Sequence, residues 1–309
     1  MPASPVSWSK TRTSTRPPCV STAASGWPRA ELEHDHDYQR LLAELAEAAR
    51  EAGEAILAIV RRGFDVEAKG DRSPVTEADR AAELIILAAL ARAAPGIPVI
   101  AEEEVAAGRI PKHGDTFFLV DPLDGTKEFI RGGDDYTVNI ALVEGLTPAL
   151  GIVFAPATGR THTGLVGSGA WIEDASGRRP IQTRERAESV AAVASKSHFN
   201  QDTADYLDAA VGICDYVSIG SSLKFCIVAE GEADIYPRLS PTREWDTAAG
   251  HAVLLAAGGR VDGPDGTPLR YGKRAFLNRA FVATGGWPAP PIAPFLEPFA
   301  GGGDLPEGV

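Results

Sequence analysis

The chain has 309 residues, of which 44% are hydrophobic and 23% are charged, and its 42 acidic and 30 basic side chains give a net charge of −12. This length suits one large or two modest domains, and the composition excludes a collagen, a disulfide scaffold and a wholly disordered chain. The best candidate for a membrane span, Leu84 to Leu90, is flanked by Glu83 and Arg92 and is far too short. The acidic balance argues against a broad basic surface for nucleic acid, although it leaves room for a local cationic pocket.

Both ends of the chain have the composition of tails. Residues 1–30 contain basic residues, no acid and many Ser, Thr and Pro, which predicts a disordered tail over residues 1–35. A transit peptide and an over-called start codon are both open explanations, whereas the lack of an apolar core excludes a secretory signal. Residues 286–309 are rich in Gly and Pro and predict a second, poorly ordered tail. The cysteines Cys19, Cys214 and Cys226 form no CxxC pair, so we interpret them as reduced thiols of a cytoplasmic protein.

Between the tails, helical and strand patterns are mixed. Tyr38 to Arg62 places apolar residues at steps of three or four, which predicts an amphipathic helix. A second helix is predicted from Glu77 to Ala94, with Thr76 as its N-cap and Asp79 completing a capping box. Further strands are predicted at 97–101, 116–120, 136–143, 149–154, 161–166, 169–172, 189–195 and 233–237, and further helices at 201–210, 222–230 and 246–257.

These elements predict two units, each a sheet covered by helices. The texture changes after Arg186, so we expect an amino-terminal α+β unit over residues 36–182 and a carboxy-terminal α/β unit over residues 183–285. Residues 144–148 separate two strands and predict a hairpin turn. The expected fold class is therefore mixed α/β (α+β).

The segment from Val120 to Thr126 contains two carboxylates three positions apart. An apolar strand ends in Asp121, a proline removes a backbone donor, and Gly125 permits a sharp turn after Asp124. If Leu123 also turns, both carboxylates and its carbonyl oxygen face one point, and such hard oxygens suit Mg²⁺. A turn that ends the strand and is capped by Asp121 explains the same residues, so this segment alone leaves both interpretations open.

Further acidic elements favour the metal interpretation. Glu102 and Glu103 end a short apolar strand, at the edge where open α/β sheets bind ligands, while Glu104 is interpreted as a solvated charge. Asp79 and Asp246 lie at predicted helix starts, where an acid also complements the helix dipole. Each of these acids has an ordinary explanation alone. Four acidic elements at the ends of secondary structure are best explained jointly by a metal cluster.

On these motifs the sequence resembles the inositol monophosphatase superfamily of Mg²⁺-dependent, lithium-sensitive phosphatases, over about residues 38–282. The shared signatures are Glu102-Glu103, the Asp-Pro-Leu-Asp-Gly-Thr of 121–126, and Trp245-Asp246. Within the superfamily the chain looks most like the 3'(2'),5'-bisphosphate nucleotidases of the CysQ type, on the motifs at 127–129, 218–226 and 236–238. Lys127-Glu128 speaks against the inositol monophosphatases themselves, which usually carry a different run at this place.

The resemblance implies a layered α-β-α-β-α sandwich of the inositol monophosphatase and sugar phosphatase type. It implies two or three Mg²⁺ ions per site, with lithium as an inhibitor, and the metal ligands Glu102, Asp121, the Leu123 carbonyl, Asp124 and Asp246. Asp79 matches the acid that works with Thr126 to orient the attacking water. The positions that match substrate-binding residues are Gly125, Thr126, Ser197, His198, Ser221, Ser222, Lys224 and Arg238.

Three of these substrate-side residues have ordinary alternatives. His198 could be a surface histidine, Lys224 could extend its ammonium to solvent, and Arg238 could pair with a nearby acid such as Glu244. Judged from the residues alone these alternatives rank first, and only the resemblance reverses that order.

The implied activity is removal of the 3'-phosphate of adenosine 3',5'-bisphosphate, giving AMP and phosphate, in sulfate assimilation or nucleotide recycling. 3'-Phosphoadenylyl sulfate is a further candidate substrate, and inositol monophosphate and fructose 1,6-bisphosphate are the alternatives. A non-catalytic metal- and nucleotide-binding protein is a weaker hypothesis, because a binder has no use for Asp79 and Thr126 as a water-activating pair. We expect a small-molecule nucleotide as partner, no nucleic acid, no membrane insertion, a monomer or homodimer, and a cytoplasmic location.

Overall fold

The computed structural model describes residues 32–68, 74–212 and 216–296. Its α-helices, numbered along the chain, are α1 (Leu32–Arg62), α2 (Glu77–Ala93), α3 (Glu102–Ala106), α4 (Thr126–Ile130), α5 (Gln201–Val211), α6 (Leu223–Ala229) and α7 (Ala248–Ala256). Two 3₁₀ turns cover Arg274–Phe276 and Ala293–Phe295. The strands, also numbered along the chain, form two sheets and two small ribbons.

The first sheet has seven strands that are neighbours in chain order, and all adjacent pairs are antiparallel except the first, which is parallel. Its strands are β3 (Val99–Ala101), β4 (Thr116–Asp124), β5 (Thr137–Glu144), β6 (Thr147–Ala155), β7 (Arg160–Leu165), β8 (Gly169–Asp174) and β9 (Gly177–Ile181). One ribbon pairs β1 (Val66–Ala68) with β2 (Pro74–Thr76).

The second sheet has five strands, and its spatial order differs from the chain order. From one edge to the other the strands are β11 (Tyr216–Ile219), β10 (Ala192–Ser195), β12 (Ile235–Arg238), β16 (Phe281–Thr284) and β14 (Arg260–Asp262). β10 runs parallel to both of its neighbours, whereas β16 is antiparallel to both of its own. The second ribbon pairs β13 (Thr242–Arg243) with β15 (Leu277–Asn278).

The layers follow from which face of each strand is apolar. In β4, Phe118 and Val120 pack with α1 and α2 on one face of the first sheet, whereas Phe117 and Leu119 face α6 and α7 on the other. This alternation is the period of two expected of a strand, and here both faces are buried. The second sheet packs against the far side of α6 and α7, and α5 covers its outer face. The predicted α-β-α-β-α layering and mixed α/β class are confirmed.

The main predicted elements are present with shifted ends. The Thr76 side chain accepts from the α2 backbone and Asp79 completes the capping box, as predicted. The hairpin between β5 and β6 turns through Gly145 and Leu146 alone rather than through five residues, and both have positive φ, as a tight hairpin turn requires. The unpredicted elements are the short helices α3 and α4 and the short strands β1, β2, β9, β11, β13, β14, β15 and β16. Such short elements lack the repeated pattern on which sequence prediction depends.

The predicted tails need correction where the structure describes them. Residues 32–35 belong to α1 rather than to a disordered tail, and residues 1–31 lie outside the described ranges. At the other end, poor order is wrong for residues 286–296, because Ile292 is fully buried and the Tyr206 hydroxyl donates to the Pro290 carbonyl at 2.8 Å. Residues 297–309 lie outside the described ranges, as do Cys19 and Cys214, whereas Cys226 is a buried free thiol. The unit boundary at residue 183 stays a prediction.

None of the helices in the described ranges combines the length and apolarity that crossing a bilayer requires.

α7 lies directly on the first sheet because two glycines leave room for its backbone. A Cβ at Gly164 would stand 2.6 Å from the Val253 Cα, and a Cβ at Gly151 would stand 2.4 Å from the Ala249 carbonyl oxygen. Both obstacles are backbone atoms, so a side chain there displaces the helix rather than a neighbouring side chain. The segment that contains Asp246 enters this helix, so the same two glycines set how close that acid comes to the sheet.

We therefore expect Gly164→Ala to destabilise the protein by about 2 kcal/mol through overpacking. Gly114→Ala is the matched control, because no atom lies within 4 Å of the added Cβ and the backbone there does not require glycine. Urea unfolding followed by circular dichroism measures both variants. Equal midpoints for the two would contradict the close approach of α7 to the sheet.

Candidate metal and phosphate site

The end of β4 is bent so that its acids leave the regular strand. The register with β5 shifts between Asp121 and Asp124, which is a β-bulge, and bulges re-aim side chains. The Asp121 carboxylate accepts from the Leu123 N–H at 3.0 Å and so closes the local turn. Gly125 follows at φ 93°, and a Cβ there would stand 2.7 Å from the Asp135 carbonyl oxygen, so only glycine fits.

Thr126 joins this turn to the start of α2. Its hydroxyl lies 3.1 Å from the Leu123 carbonyl oxygen and 3.3 Å from Asp79 Oδ1. The other oxygen of Asp79 accepts from both the N–H of Thr76 at 2.7 Å and its hydroxyl at 2.8 Å. The capping box therefore holds a fully buried carboxylate in place beside the Thr126 hydroxyl.

Four acids from three separate parts of the sequence line one pocket of about 210 Å³. Asp121 and Asp124 come from the bulge, Glu102 from the first residue of α3, and Asp246 from the turn before α7. The pocket lies between the first sheet and the segments that follow β10 and β12. The structure thus brings the four predicted positions into the lining of one pocket.

Within the described part of the chain, no three His, Cys, Asp or Glu side chains stand close enough together to hold a metal ion as they are placed. Protein donors hold several of the acids instead. The Asp246 carboxylate accepts from the Thr242 hydroxyl and from the Arg243 N–H at 3.0 Å. The four acids thus share one pocket without enclosing a single point, and metal ligation by them stays a prediction.

The chemistry of this donor set fits a divalent cation. Desolvation, and then the charge of Asp246, raise the pKa of Asp124. Burial also raises the pKa of Asp246, and the charge of Glu102 adds to that rise. Buried carboxylates that repel one another resist ionisation unless a cation neutralises them. Carboxylate and carbonyl oxygens are the ligands that Mg²⁺ prefers, so Glu102, Asp121, Asp124, Asp246 and the Leu123 carbonyl are suitable residues to hold it.

Lys224 faces the same pocket from α6 and is only 3% exposed. Its ammonium donates to the Ser221 carbonyl and to the Ile219 carbonyl at 3.3 Å. Burial lowers the pKa of this ammonium, and the negative charge of Asp124 opposes that effect. Extension of Lys224 to solvent, the alternative from the sequence, is therefore wrong.

Arg238 ends β12 in the pocket and is 9% exposed. Its guanidinium donates to the carbonyls of Ser240 and Pro241 at 3.1 and 3.2 Å and to the Ser195 hydroxyl at 3.3 Å. The alternative pairing with Glu244 is wrong, because that buried acid instead pairs with the Lys273 ammonium at 2.6 Å.

The remaining predicted substrate-side residues differ in exposure and in whether the protein already bonds their side chains. Ser197, His198, Ser221 and Ser222 all line the pocket. His198 lies exposed at the rim and contacts Ser195, as the surface-histidine alternative describes. The Ser222 hydroxyl is buried and bonds Thr137 at 2.9 Å and Asn139 at 2.7 Å, so the protein already occupies it.

Two acids in or near the site were named from the sequence but were not predicted to be site residues. Glu128, on α4, lines the pocket and is nearly buried. Glu83, on α2, accepts from the Glu103 N–H at 2.9 Å and so anchors the start of α3. Burial raises the pKa of Glu83 to about 7. An acid on the apolar stripe of a predicted helix, where Glu83 lies between Ala82 and Ile86, is the signal that could have found it.

The chain matches the inositol monophosphatase family over residues 37–289, and it belongs to that family. It is similar to the 3'(2'),5'-bisphosphate nucleotidase CysQ of Shigella flexneri, at 45% identity over 244 residues, which are 78% of this chain and 98% of the relative. The CysQ nucleotidase of Escherichia coli K12 is 44% identical over the same shares. The resemblance found in the sequence is confirmed.

Solved structures of the same family have a similar fold. The structure of CysQ from Bacteroides thetaiotaomicron, described as a bacterial member of the inositol monophosphatase family, has a TM-score of 0.69 and 36% identity, and covers 81% of this chain and 98% of that one. The inositol monophosphatase from Anabaena has a TM-score of 0.65 and 27% identity, covering 81% and 92%.

The raised pKa of Asp124 predicts how stability depends on pH without metal. An acid with a raised folded-state pKa contributes stability at low pH that is lost as the pH rises through that pKa. Asp124→Asn removes this loss, so the metal-free variant should be more stable than the metal-free wild type by about 1 kcal/mol near pH 8, and the gain should vanish near pH 4. Urea unfolding in the presence of a chelator measures it.

Asp115→Asn, at an exposed acid before β4, is the control and should show no such trend. If Asp124→Asn were the less stable protein at high pH, mutual repulsion of the pocket acids would be the wrong description. Added Mg²⁺ should reverse the order, because only the wild type keeps all four carboxylates.

Proposed function

We propose that the chain is a Mg²⁺-dependent phosphatase that removes the 3'-phosphate of adenosine 3',5'-bisphosphate, giving AMP and phosphate. The observation that carries the proposal is that one pocket is lined both by four acids and by two buried cations, Lys224 and Arg238. The similarity to CysQ nucleotidases over most of both chains supports this substrate class. 3'-Phosphoadenylyl sulfate carries the same 3'-phosphate and is a second candidate.

We assign the scissile phosphate to the four acids, through the metal ions that they would hold. When bound, Mg²⁺ would neutralise charge on the phosphoryl oxygens and lower the pKa of a bound water. We expect two or three ions, held by Glu102, Asp121, Asp124, Asp246 and the Leu123 carbonyl, and inhibition by lithium. Charge neutralisation is the main need in phosphoryl transfer, because little covalent chemistry is asked of the protein.

Thr126 and Asp79 supply the general-base function in this proposal. The Thr126 hydroxyl donates toward Asp79 and the Leu123 carbonyl, so its lone pairs are available to accept a proton from a water. The two Thr76 donors hold Asp79 in position beside the Thr126 hydroxyl. As the Thr126 hydroxyl accepts the proton from the water, it passes its own proton to Asp79 Oδ1. The water oxygen attacks phosphorus, the bond from phosphorus to the 3' oxygen breaks, and the 3' oxygen takes a proton from solvent water and leaves as the nucleoside hydroxyl. The N–H groups of Gly125 and Thr126 would donate to the phosphate.

The two buried cations, Lys224 and Arg238, which we call the cationic side of the pocket, would hold the 5'-phosphate and the nucleoside. Arg238 keeps N–H groups beyond those used by Ser240, Pro241 and Ser195, and its planar fork suits a phosphate. Lys224 adds a fixed charge. Partial desolvation at the rim of the pocket, followed by the charges of Arg238 and Lys127, lowers the pKa of His198 to about 4, so at neutral pH this imidazole would offer hydrogen bonds rather than charge. Ser197, Ser221 and Ser222 are the other predicted residues, but the hydroxyls of Ser197 and Ser222 donate to Glu128 and Asn139 instead.

A phosphate-release panel tests the proposal. With Mg²⁺, the protein should hydrolyse adenosine 3',5'-bisphosphate with a higher kcat/KM than inositol 1-phosphate or fructose 1,6-bisphosphate, and a chelator should abolish release. Higher turnover of inositol 1-phosphate would contradict the substrate, and metal-independent release would contradict the mechanism.

The same panel includes Arg238→Ala. Loss of a charge-assisted bidentate contact of about 2 kcal/mol should raise KM for the bisphosphate roughly 30-fold, and much less for a simple monoester. Arg160→Ala, at an exposed arginine of β7, is the matched control. Equal changes with both substrates would refute the assignment of Arg238 to the 5'-phosphate.

A further inference from the structure

Glu128 is an acid that the proposed chemistry does not use. It lies two residues after Thr126 on α4, lines the pocket and is only 9% exposed. A carboxylate in a pocket for an anionic substrate repels that substrate, and its burial costs free energy unless it is bonded. Its position therefore calls for a role within the protein.

The Glu128 carboxylate accepts a hydrogen bond from the Ser197 hydroxyl. The two residues are 69 positions apart, and they join α4, at the end of the first sheet, to the segment that follows β10 in the second sheet. Gly220, which follows β11, packs against the same side chain, since a Cβ there would stand 3.2 Å from Glu128 Cγ. Glu128 thus contacts two segments of the second sheet at once.

Asp135 makes a second connection beside the first. Its carboxylate accepts from the Gly220 N–H at 3.2 Å and pairs with the Lys196 ammonium at 3.3 Å. Consecutive residues, Lys196 and Ser197, are therefore held by two acids that come from the first sheet and its connections. We call the pair of contacts Glu128–Ser197 and Asp135–Lys196 the clasp.

The clasped segment carries the groups that surround the nucleotide side of the pocket. The Ser195 hydroxyl lies 3.3 Å from both His198 Nδ1 and the Arg238 guanidinium. The Lys196 N–H donates to the Ile219 carbonyl at 3.2 Å, and that carbonyl also accepts from Lys224. A shift of the segment therefore moves the cationic side relative to Thr126.

We propose that Glu128 is a positioning residue that selects the substrate: through Ser197 it fixes the distance between the part of the pocket that holds the scissile phosphate and the part that holds the rest of the nucleotide. The inference rests on the proposed function, because the selection concerns a substrate that reaches both parts. A small monoester reaches only the first part and is little affected by that distance.

A double-mutant cycle on the full chain tests the clasp. Glu128→Ala should raise KM for adenosine 3',5'-bisphosphate about tenfold more than KM for p-nitrophenyl phosphate, the size expected from losing one hydrogen bond to a charged acceptor. Ser197→Ala added to Glu128→Ala should raise KM for the bisphosphate no further. Glu128→Gln keeps an oxygen acceptor for Ser197 and should recover most of the affinity. Glu54→Ala, at an exposed acid of α1, is the control.

Hydrogen–deuterium exchange supplies a readout without turnover. The amides of residues 196–198 should exchange faster in Glu128→Ala than in the wild type or in Glu128→Gln. Additive effects of the two substitutions on KM, equal KM changes for the two substrates, or unchanged exchange would overturn the inference.

Failure of the proposed function has a different signature. It would appear as a wild type that does not hydrolyse the bisphosphate, and substrate selection by Glu128 would then fall with it. If the wild type hydrolyses the bisphosphate but the effects of Glu128→Ala and Ser197→Ala on KM are additive, only the clasp is overturned.

Discussion

Repulsion among buried carboxylates is the constraint on which the rest of the site depends. Asp124 and Asp246 lie in one pocket with Glu102, and burial together with these like charges raises the pKa of both aspartates. A bound cation offsets the free-energy cost of these buried charges. Without a cation, protonated acids or apolar side chains at these positions would give a more stable protein. The same constraint accounts for a protein of net charge −12 that takes an anionic substrate in our proposal, because metal ions would neutralise the acids that line the pocket.

The layers of the fold bring these acids together from distant parts of the chain. A bulge at the end of β4 presents Asp121 and Asp124, and the capping box of α2 presents Asp79 beside Thr126. α7 lies against the first sheet because Gly151 and Gly164 have no side chains, and Asp246 is positioned by the turn before that helix. The cationic side comes from α6 and β12 instead, so substrate recognition and the proposed chemistry depend on how the two sheets are fixed to each other.

The features that could be predicted from the sequence are those formed by residues close together in the chain. The Thr76–Asp79 box, the hairpin after Glu144 and the pair Asp121 and Asp124 each lie within a few residues, and the structure contains all three elements. The acids at the ends of other elements extended the prediction to Glu102 and Asp246, which the family resemblance then matched to metal ligands and which line the same pocket.

Contacts between distant residues could not be predicted in this way. Glu244 pairs with Lys273 rather than with Arg238, which is nearer in the sequence, and Glu128 bonds a serine 69 residues away, because the packing of the sheets decides such partners.

The central claim is that the pocket acids hold divalent metal ions. Manganese can replace Mg²⁺ and is located directly by anomalous diffraction, so crystals soaked in Mn²⁺ offer the most direct test of this claim. We expect anomalous peaks within ligand distance of Glu102, Asp121, Asp124, Asp246 and the Leu123 carbonyl. Peaks at other places only, with these carboxylates still bonded to protein donors, would contradict it.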